Sequence, residues 1–184
     1  MEFTQEQLEA CKKNHAGAQR ELYNLYKARV MGLCRRYAKN KEEAEDVFQE
    51  AFIRIFQNIG QLQNLATLTP WIKRVAVNAA VNYYHKNKRH HHYSELPEYD
   101  NPNDDYELML SQLTDETLVN LINGLPDGYR VVFNLYVVEG YSHAEIADML
   151  QVSEVTSRSQ LNRAKQSLKD KLKALGVLKY EKYA

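Results

Sequence analysis

Residues 142–172 read SHAEIADMLQVSEVTSRSQLNRAKQSLKDKL, and this stretch predicts two helices joined by a short turn. Ser142 and Glu145 stand three residues apart, which is the spacing of a capping box that opens a helix. The turn at 151–152 is only two residues long, and Ser153 is a residue type that caps a following helix. The stretch therefore predicts a helix-turn-helix.

The second helix of this pair has two chemically different sides. At 100° per residue, one side is expected to pack and carries Ser157, Leu161, Ala164, Leu168 and Leu172. The opposite side carries Thr156, Ser159, Asn162, Arg163 and Gln166, with Arg158 on the flank. Hydroxyls, an amide and guanidinium groups are the groups that read base edges in a major groove, so this side predicts DNA binding. A helical hairpin that binds nothing is the alternative.

An acidic helix is predicted over residues 42–59. Its apolar residues recur in steps of three and four, at Ala44, Val47, Phe48, Ala51, Phe52, Ile55, Phe56 and Ile59. The opposite face carries Glu42, Glu43, Asp46, Gln49, Glu50 and Arg54. Paired carboxylates can serve acid–base catalysis, but the sequence supplies no nucleophile motif, Gly-rich phosphate loop or metal partner. The face is therefore predicted to dock a basic partner helix.

A basic helix is predicted from Trp71 to about Lys88, with Pro70 as its first residue. Between residues 71 and 94 there are five Lys and Arg residues and no acid. Its polar side carries Arg74, Asn78, Asn82, His85 and Arg89, flanked by Lys86. Amide and guanidinium groups suit base edges and phosphates, so a second DNA-facing surface is expected. Tyr83 and Tyr84 have side chains that can stack on unpaired bases. The alternative is that Tyr83 packs in the core and Tyr84 is half-buried; packing is expected for Tyr83, and also for Trp71.

The chain as a whole is predicted to be all-α, as two small helical bundles. Thr4 and Gln7 fit a capping box for a first helix, and Gly17 is expected to separate that helix from a second one over 18–38. The segment from His90 contains Pro97 and Pro102, and residues 95–127 contain no Lys or Arg. The predicted organisation is a bundle over 1–90, an acidic linker over 91–112, and the helix-turn-helix bundle over 113–184.

Composition excludes several classes of protein. The chain has 184 residues and a net charge of zero, which argues against coating nucleic acid through bulk positive charge. Its two cysteines form no spaced framework, and three consecutive histidines at 90–92 cannot all face one ion, so neither a metal nor another cofactor is expected. There is no secretory signal pattern and no apolar run long enough to span a membrane, so a cytoplasmic protein without membrane insertion is expected.

The ordered motifs resemble the extracytoplasmic-function (ECF) group of bacterial RNA polymerase sigma factors. The stretch 43–52, EAEDVFQEAF, is similar to the helix with which that family binds core polymerase, and 71–78, WIKRVAVN, followed by Asn82 and Tyr83, is similar to its minus-ten recognition helix. Four short segments resemble the family's minus-thirty-five helix-turn-helix domain: LP at 125–126, EGYS at 139–142, EIA at 145–147 and SRSQLNRA at 157–164.

The resemblance implies an alternative sigma factor, a non-enzymatic subunit that directs promoter recognition and transcription initiation. It implies core RNA polymerase, promoter DNA and an anti-sigma factor as partners. The residues assigned to core polymerase are Asp46, Gln49, Glu50 and Arg54; those assigned to the minus-ten strand are Arg74, Asn78, Asn82, Lys86 and Arg89; those assigned to the minus-thirty-five duplex are Thr156, Arg158, Ser159, Asn162 and Arg163.

The chain departs from the family pattern at three places. The loop over 62–70 lacks the Gly, Arg and aromatic residues with which the family captures a promoter base, so Thr67 and Leu68 become the candidates there. Gln151 stands where the family usually has Gly, and Ser157 replaces a common Val, which is expected to weaken the packing side slightly. The main alternative function is a conventional helix-turn-helix regulator that acts without polymerase; a helical enzyme is the other.

Overall fold

The computed structural model describes residues 3–88 and 115–175, which form two compact units divided between Asn87 and Lys88. All the regular secondary structure in these described ranges is helical, which confirms the all-α prediction. The predicted linker over 91–112 lies outside the described residues. The first unit contains α1 (Gln5–Lys12), α2 (Ala16–Tyr37), α3 (Lys41–Asn58) and α4 (Leu68–Lys88), and two 3-10 turns, Ile59–Gln61 and Leu65–Thr67, connect α3 to α4.

Polar caps set where the first two helices begin. The predicted capping box of α1 is present, since the Thr4 amide donates to Gln7 Oε1 at 2.7 Å and the Gln7 amide donates to Thr4 Oγ1 at 3.2 Å. The prediction that Gly17 separates α1 from α2 is wrong. The chain turns earlier, at Asn14, whose φ of 59° is left-handed, and the His15 ring accepts from the Ala18 amide to cap α2.

The start of α3 places its acidic residues. Asn40 Oδ1 accepts from the Glu43 amide at 2.8 Å, and Glu43 Oε2 accepts from the Lys39 amide at 2.9 Å. Carboxylates in a first turn also interact favourably with the positive end of the helix dipole. The acidic pattern of 42–50 therefore helps to open the helix as well as marking its surface.

The core of the first unit lies mainly between α2 and α3, which pack along each other. Its fully buried side chains include Leu22 on α2, Ile55 on α3 and Ile72 on α4. Tyr26 Oη and Thr69 Oγ1 are 2.7 Å apart and tie the start of α4 to α2. Because α4 begins at Leu68, Pro70 is its third residue rather than its first; the missing N–H is tolerated because first-turn amides have no intrahelical acceptor.

The second unit is built around its last helix. It contains α5 (Asp115–Asn123), α6 (Asp127–Phe133), a π-helical turn (Asn134–Val138), α7 (His143–Leu150) and α8 (Glu154–Ala174). Helices α5, α6 and α7 all pack on α8. The predicted packing side of α8 is confirmed, because Ser157, Leu161, Ala164, Leu168 and Leu172 are all buried, and Gln160 is buried with them.

Arg130 fixes the corner between α5 and α6. Its side chain is 3% exposed, and its guanidinium donates to the carbonyl oxygens of Asn123 and Leu125 at 3.2 and 3.0 Å. It also pairs with Asp127 Oδ1 at 2.7 Å. A buried guanidinium is costly without partners, so these bonds fix the path of the chain into α6.

The turn of the helix-turn-helix depends on a strained residue. Gln151 ends α7 with a φ of 53°, a left-handed conformation that a side chain with a Cβ adopts at a cost. Its amide group compensates in part, since Nε2 donates to the Asp148 carbonyl oxygen at 2.8 Å. The family's usual Gly would adopt this conformation without that cost.

We expect Gln151→Gly to stabilise the second unit by about 0.5–1 kcal/mol, because relief of the left-handed strain outweighs the lost side-chain bond. Native-state hydrogen exchange of the α7 and α8 amides measures this change. Gln151→Ala is the matched control: it loses the same hydrogen bond but keeps the Cβ, so it should destabilise those amides. Equal effects of the two substitutions would show that the left-handed strain is not significant.

Candidate functional site

The predicted docking face of α3 is accessible. Asp46 and Gln49 are exposed, while Glu50 and Arg54 are each about a third exposed and pair with each other, with Arg54 Nε 2.7 Å from Glu50 Oε1. All four therefore lie on the solvent side of α3, but two of them are already partners. The sequence reading missed Ile53, which is 51% exposed and lies one turn beyond Gln49 and Glu50.

An aromatic cluster borders this acidic face. Tyr23 of α2 is 37% exposed and lies 4.8 Å from Phe52 and 6.0 Å from Phe48, measured between ring centroids. Phe56 extends the cluster at 5.9 Å from Phe52. Only Phe52 is buried, so the cluster presents aromatic surface beside the carboxylates of α3. Such a surface suits a partner that offers both apolar and basic side chains.

The predicted polar side of α4 also faces outward. Arg74, Asn78 and Lys86 are exposed and Asn82 is half-buried. They follow one another at intervals of four residues, so they form one line along the helix. Ile72, Ala76 and Ala79 are buried on the other side. Arg89 lies outside the described residues.

Aromatic residues of α4 differ from the prediction. Tyr84 is buried at 8% exposure, whereas Tyr83 and Trp71 are half-buried, so the expected order of the two tyrosines is wrong. Burial raises the pKa of Tyr83, a hydrogen bond with Asn87 opposes that shift, and the carboxylates of Glu43 and Asp46 add to it. Tyr83 therefore lies near the acidic face of α3. Tyr83 follows Arg74 by nine residues, which at 100° per residue places it on the side of α4 opposite the polar line.

The two candidate base-capturing residues of the 62–70 loop differ in their exposure to solvent. Leu68 is the first residue of α4. Its side chain packs inward and is 2% exposed, so it cannot capture a base. Thr67 is exposed, and its Oγ1 donates to the Asn64 carbonyl oxygen at 2.8 Å. Of the two residues predicted for this role, only Thr67 is accessible.

The outward side of α8 contains the five predicted residues, with different degrees of access. Arg158 is exposed and pairs with Glu154 at 3.2 Å, and Ser159 and Asn162 are half-buried. Thr156 is half-buried, and its Oγ1 lies 2.8 Å from Ser153 Oγ. Its hydroxyl is thus part of the helix cap.

Arg163 is inclined toward α6. It is half-buried, and Nη1 donates to Tyr129 Oη at 3.3 Å. A shallow groove between the two helices is lined by Arg163, Tyr129, Gln166 and Lys171. Arg163 therefore lies at the side of the outward face, not at its centre.

A buried hydrogen bond joins the two helices of the motif. His143 Nδ1 and Ser157 Oγ are 2.9 Å apart; Ser157 is 0% exposed and His143 is 9% exposed. The His143 ring also stacks on Tyr136, with centroids 4.5 Å apart. Ser157 also has a role that the sequence did not predict, because its hydroxyl satisfies a buried imidazole nitrogen. Sequence reasoning missed His143, because its position between Ser142 and Glu145 of the capping box is the only sequence signal for it.

The described residues contain no candidate metal centre. Within 3–88 and 115–175, no three His, Cys, Asp or Glu side chains are placed to hold an ion, and His90–His92 lie outside these ranges. Cys11 and Cys34 are free and buried, and burial raises the pKa of Cys11 to about 11 and that of Cys34 to about 12. Among the helices described, none is long and apolar enough to cross a membrane.

Comparison with known proteins identifies the family. Residues 22–90 match the family described as Sigma-70 region 2, and residues 115–168 match Sigma-70, region 4. The chain is 28% identical to the ECF RNA polymerase sigma factor SigW of Bacillus subtilis, over 89% of this chain and 94% of SigW. It is 29% identical to the ECF sigma-E factor of Escherichia coli, over 82% of this chain and 84% of that protein.

A solved structure of CnrH in complex with the cytosolic domain of CnrY is also similar, with a TM-score of 0.46 and 17% identity over 91% of this chain and 96% of that one.

The chain belongs to the ECF-type RNA polymerase sigma factors. It is an alternative sigma factor that directs promoter recognition with RNA polymerase, and the prediction of this function is confirmed. This membership also places the chain among transcription initiation factors, which are not enzymes.

We expect acid to weaken the second unit through His143. Burial lowers the pKa of His143, and Arg158 and Lys165 lower it further, while Glu154 opposes them. The unfolded state therefore takes up a proton first, and the contribution of neutral His143 to stability is lost as pH falls below about 6.5. A histidine NMR titration of the folded protein should show His143 titrating below that pH.

His143→Gln provides the matched variant for this prediction. It retains a polar group near Ser157 but does not titrate, so the stability of its α7 and α8 amides should fall less between pH 7.5 and 5.5 than that of the wild type. Titration of His143 above pH 6.5, or an identical loss of stability in both proteins, would contradict the assignment.

Proposed function

We propose that three helix faces divide the work of this sigma factor. The α3 face, comprising Asp46, Gln49, Glu50 and Arg54, binds core RNA polymerase. The polar line of α4 and, as predicted from the sequence, Arg89 contact the melted minus-ten strand, and the outward side of α8 contacts the minus-thirty-five duplex. In this proposal residues 1–90 and 113–184 are the two functional domains, and 91–112 is the acidic linker between them.

One observation carries the proposal: each of these three helices buries one side in its own unit and exposes the side that has the matching chemistry. On α3 the exposed side is acidic with an apolar residue, Ile53, among the polar ones. Well-packed apolar anchors supply much of the energy of protein interfaces, and surrounding charges supply specificity and rate of association. This combination fits a partner helix with basic and apolar residues.

The Glu50–Arg54 pair suits such a docking role. An ion pair between residues four apart on a partly exposed helix face contributes about 0.5 kcal/mol or less. Glu50 and Arg54 can therefore give up their ion pair and bind partners on polymerase instead, at a small cost in free energy. Asp46 and Gln49 need only lose water.

The face of α4 suits an unpaired strand. Asn78 and Asn82 offer amide groups that match the edges of adenine, and Arg74 matches guanine or a phosphate. Its neighbours in sequence add positive charge without any acid between 71 and 94. Neither Tyr83 nor Tyr84 lies on this face, so base stacking by these tyrosines is not part of the proposal.

The face of α8 suits an intact duplex. The N-terminal part of the second helix of such a motif enters the major groove, and this part of α8 carries Arg158 and Ser159, followed by Asn162. Lys165 and Lys169 continue along the helix toward positions where phosphates would lie. Because the net charge of the chain is zero, we expect the free protein to bind duplex DNA weakly and to depend on polymerase for stable binding.

An anti-sigma factor is the further partner that the family suggests. We place its contact on the α3 face, where occupation would block polymerase directly. Competition between core polymerase and such a protein for the labelled chain tests this placement. Simultaneous binding of both would contradict it.

Charge reversal tests the polymerase face. We expect Asp46→Lys to weaken binding of the full chain to core RNA polymerase about ten-fold or more, since a like charge would face a basic partner helix. Fluorescence anisotropy of the labelled protein, titrated with core polymerase, gives the affinity. Glu6→Lys is the control: it reverses an exposed charge on α1, away from the proposed face, and should leave affinity unchanged. If Asp46→Lys also binds like the wild type, α3 is not the docking helix.

A further inference from the structure

Val155 is an unusual residue for the exposed start of α8. It is the second residue of the helix and 57% exposed. Ser159, Asn162 and Gln166 follow it at intervals of four, three and four residues, so Val155 lies at the end of the same outward line. The side chain of Val155 is apolar and makes no hydrogen bonds with water, whereas the other residues of this line are polar.

The hydroxyl groups around Val155 are engaged within the helix. Ser153 Oγ accepts from the Thr156 amide at 3.0 Å and lies 2.8 Å from Thr156 Oγ1. Ser159 Oγ donates to the Thr156 carbonyl oxygen at 3.0 Å. These contacts cap and tighten the first turn. The first turn of α8 therefore presents the two methyl groups of Val155 and the nearby Arg158–Glu154 pair.

We propose that Val155 recognises the 5-methyl group of a thymine in the minus-thirty-five element, at a position next to the base pair that Arg158 contacts. Thymine alone presents an apolar group in the major groove, beside its O4 acceptor. The first turn of the second helix is the part of the motif that approaches base edges. This inference rests on the proposed function, because it requires α8 to enter the major groove.

The size of the effect follows from the contact. Removing one methyl group from water against an apolar side chain changes an equilibrium constant about four-fold. Val155 is thus expected to set a preference for thymine at one position, while Arg158 and Asn162 act through hydrogen bonds at others. Charged residues on the same side, such as Lys165 and Lys169, bind phosphates of any sequence.

Deoxyuridine gives a direct test, because it keeps the base pairing and the O4 acceptor of thymine and lacks only the methyl group. The preferred minus-thirty-five sequence is first selected with the holoenzyme, assembled from core polymerase and the full chain. Each thymine of that element is then replaced singly by deoxyuridine. At one position we expect holoenzyme binding to fall about four-fold for the wild type and less than two-fold for Val155→Ala.

Leu175→Ala is the matched control, since Leu175 is equally exposed at the other end of α8. This variant should keep the full deoxyuridine effect. Circular dichroism checks that both variants remain helical.

Three results would overturn the proposal. If no thymine position responds to deoxyuridine although scrambling the element still weakens binding, Val155 reads no methyl group and the role of α8 stands. If Val155→Ala responds as strongly as the wild type, another residue reads the methyl group. If scrambling the element has no effect on the wild type, both this inference and the proposed role of α8 fail.

Discussion

The one-sided burial of α8 is the constraint on which the second unit depends. Leu161, Ala164 and Leu168 lie on the buried side of α8, which packs against α5, α6 and α7, and the hydrogen bond between His143 and Ser157 joins α7 to α8. Because the apolar side of the helix is packed in the core, the opposite side is necessarily the one exposed to solvent. The surface that faces DNA in our proposal is therefore decided by the core beneath it.

The first unit follows the same logic with two outward faces of opposite charge. Helix α3 buries Val47, Ala51 and Ile55 and presents carboxylates. Helix α4 buries a wider arc of mostly small residues and presents amides and cations. The carboxylates of Glu43 and Asp46 raise the pKa of Tyr83, which lies on the side of α4 opposite its polar line. The acidic face of α3 and the polar line of α4 are therefore separate surfaces of this unit.

Much of the fold was predictable because helical periodicity and capping residues act locally. The Ser142–Glu145 box and the start of α1 depend on neighbours within a few positions, and the packing side of α8 follows from the helical spacing of its own apolar residues. The errors arose where distant contacts or backbone conformations decide. Asn14 adopts a left-handed conformation that ends α1 before Gly17, Pro70 lies inside the first turn of α4, and the pairing of His143 with Ser157 spans fourteen positions. The partial exposure of Arg163 likewise depends on Tyr129, which the motif does not reveal.

Site-specific photo-crosslinking can show whether α4 and α8 contact different parts of the promoter. A crosslinking residue is placed at Asn78 on α4 or at Gln166 on α8, in holoenzyme bound to a promoter with either a closed or a pre-melted minus-ten region. We expect the Asn78 probe to crosslink the minus-ten strand only when that strand is melted, and the Gln166 probe to crosslink the minus-thirty-five duplex on both templates. A probe at Asn78 that never reaches promoter DNA, or one at Gln166 that reaches only melted DNA, would contradict this expectation.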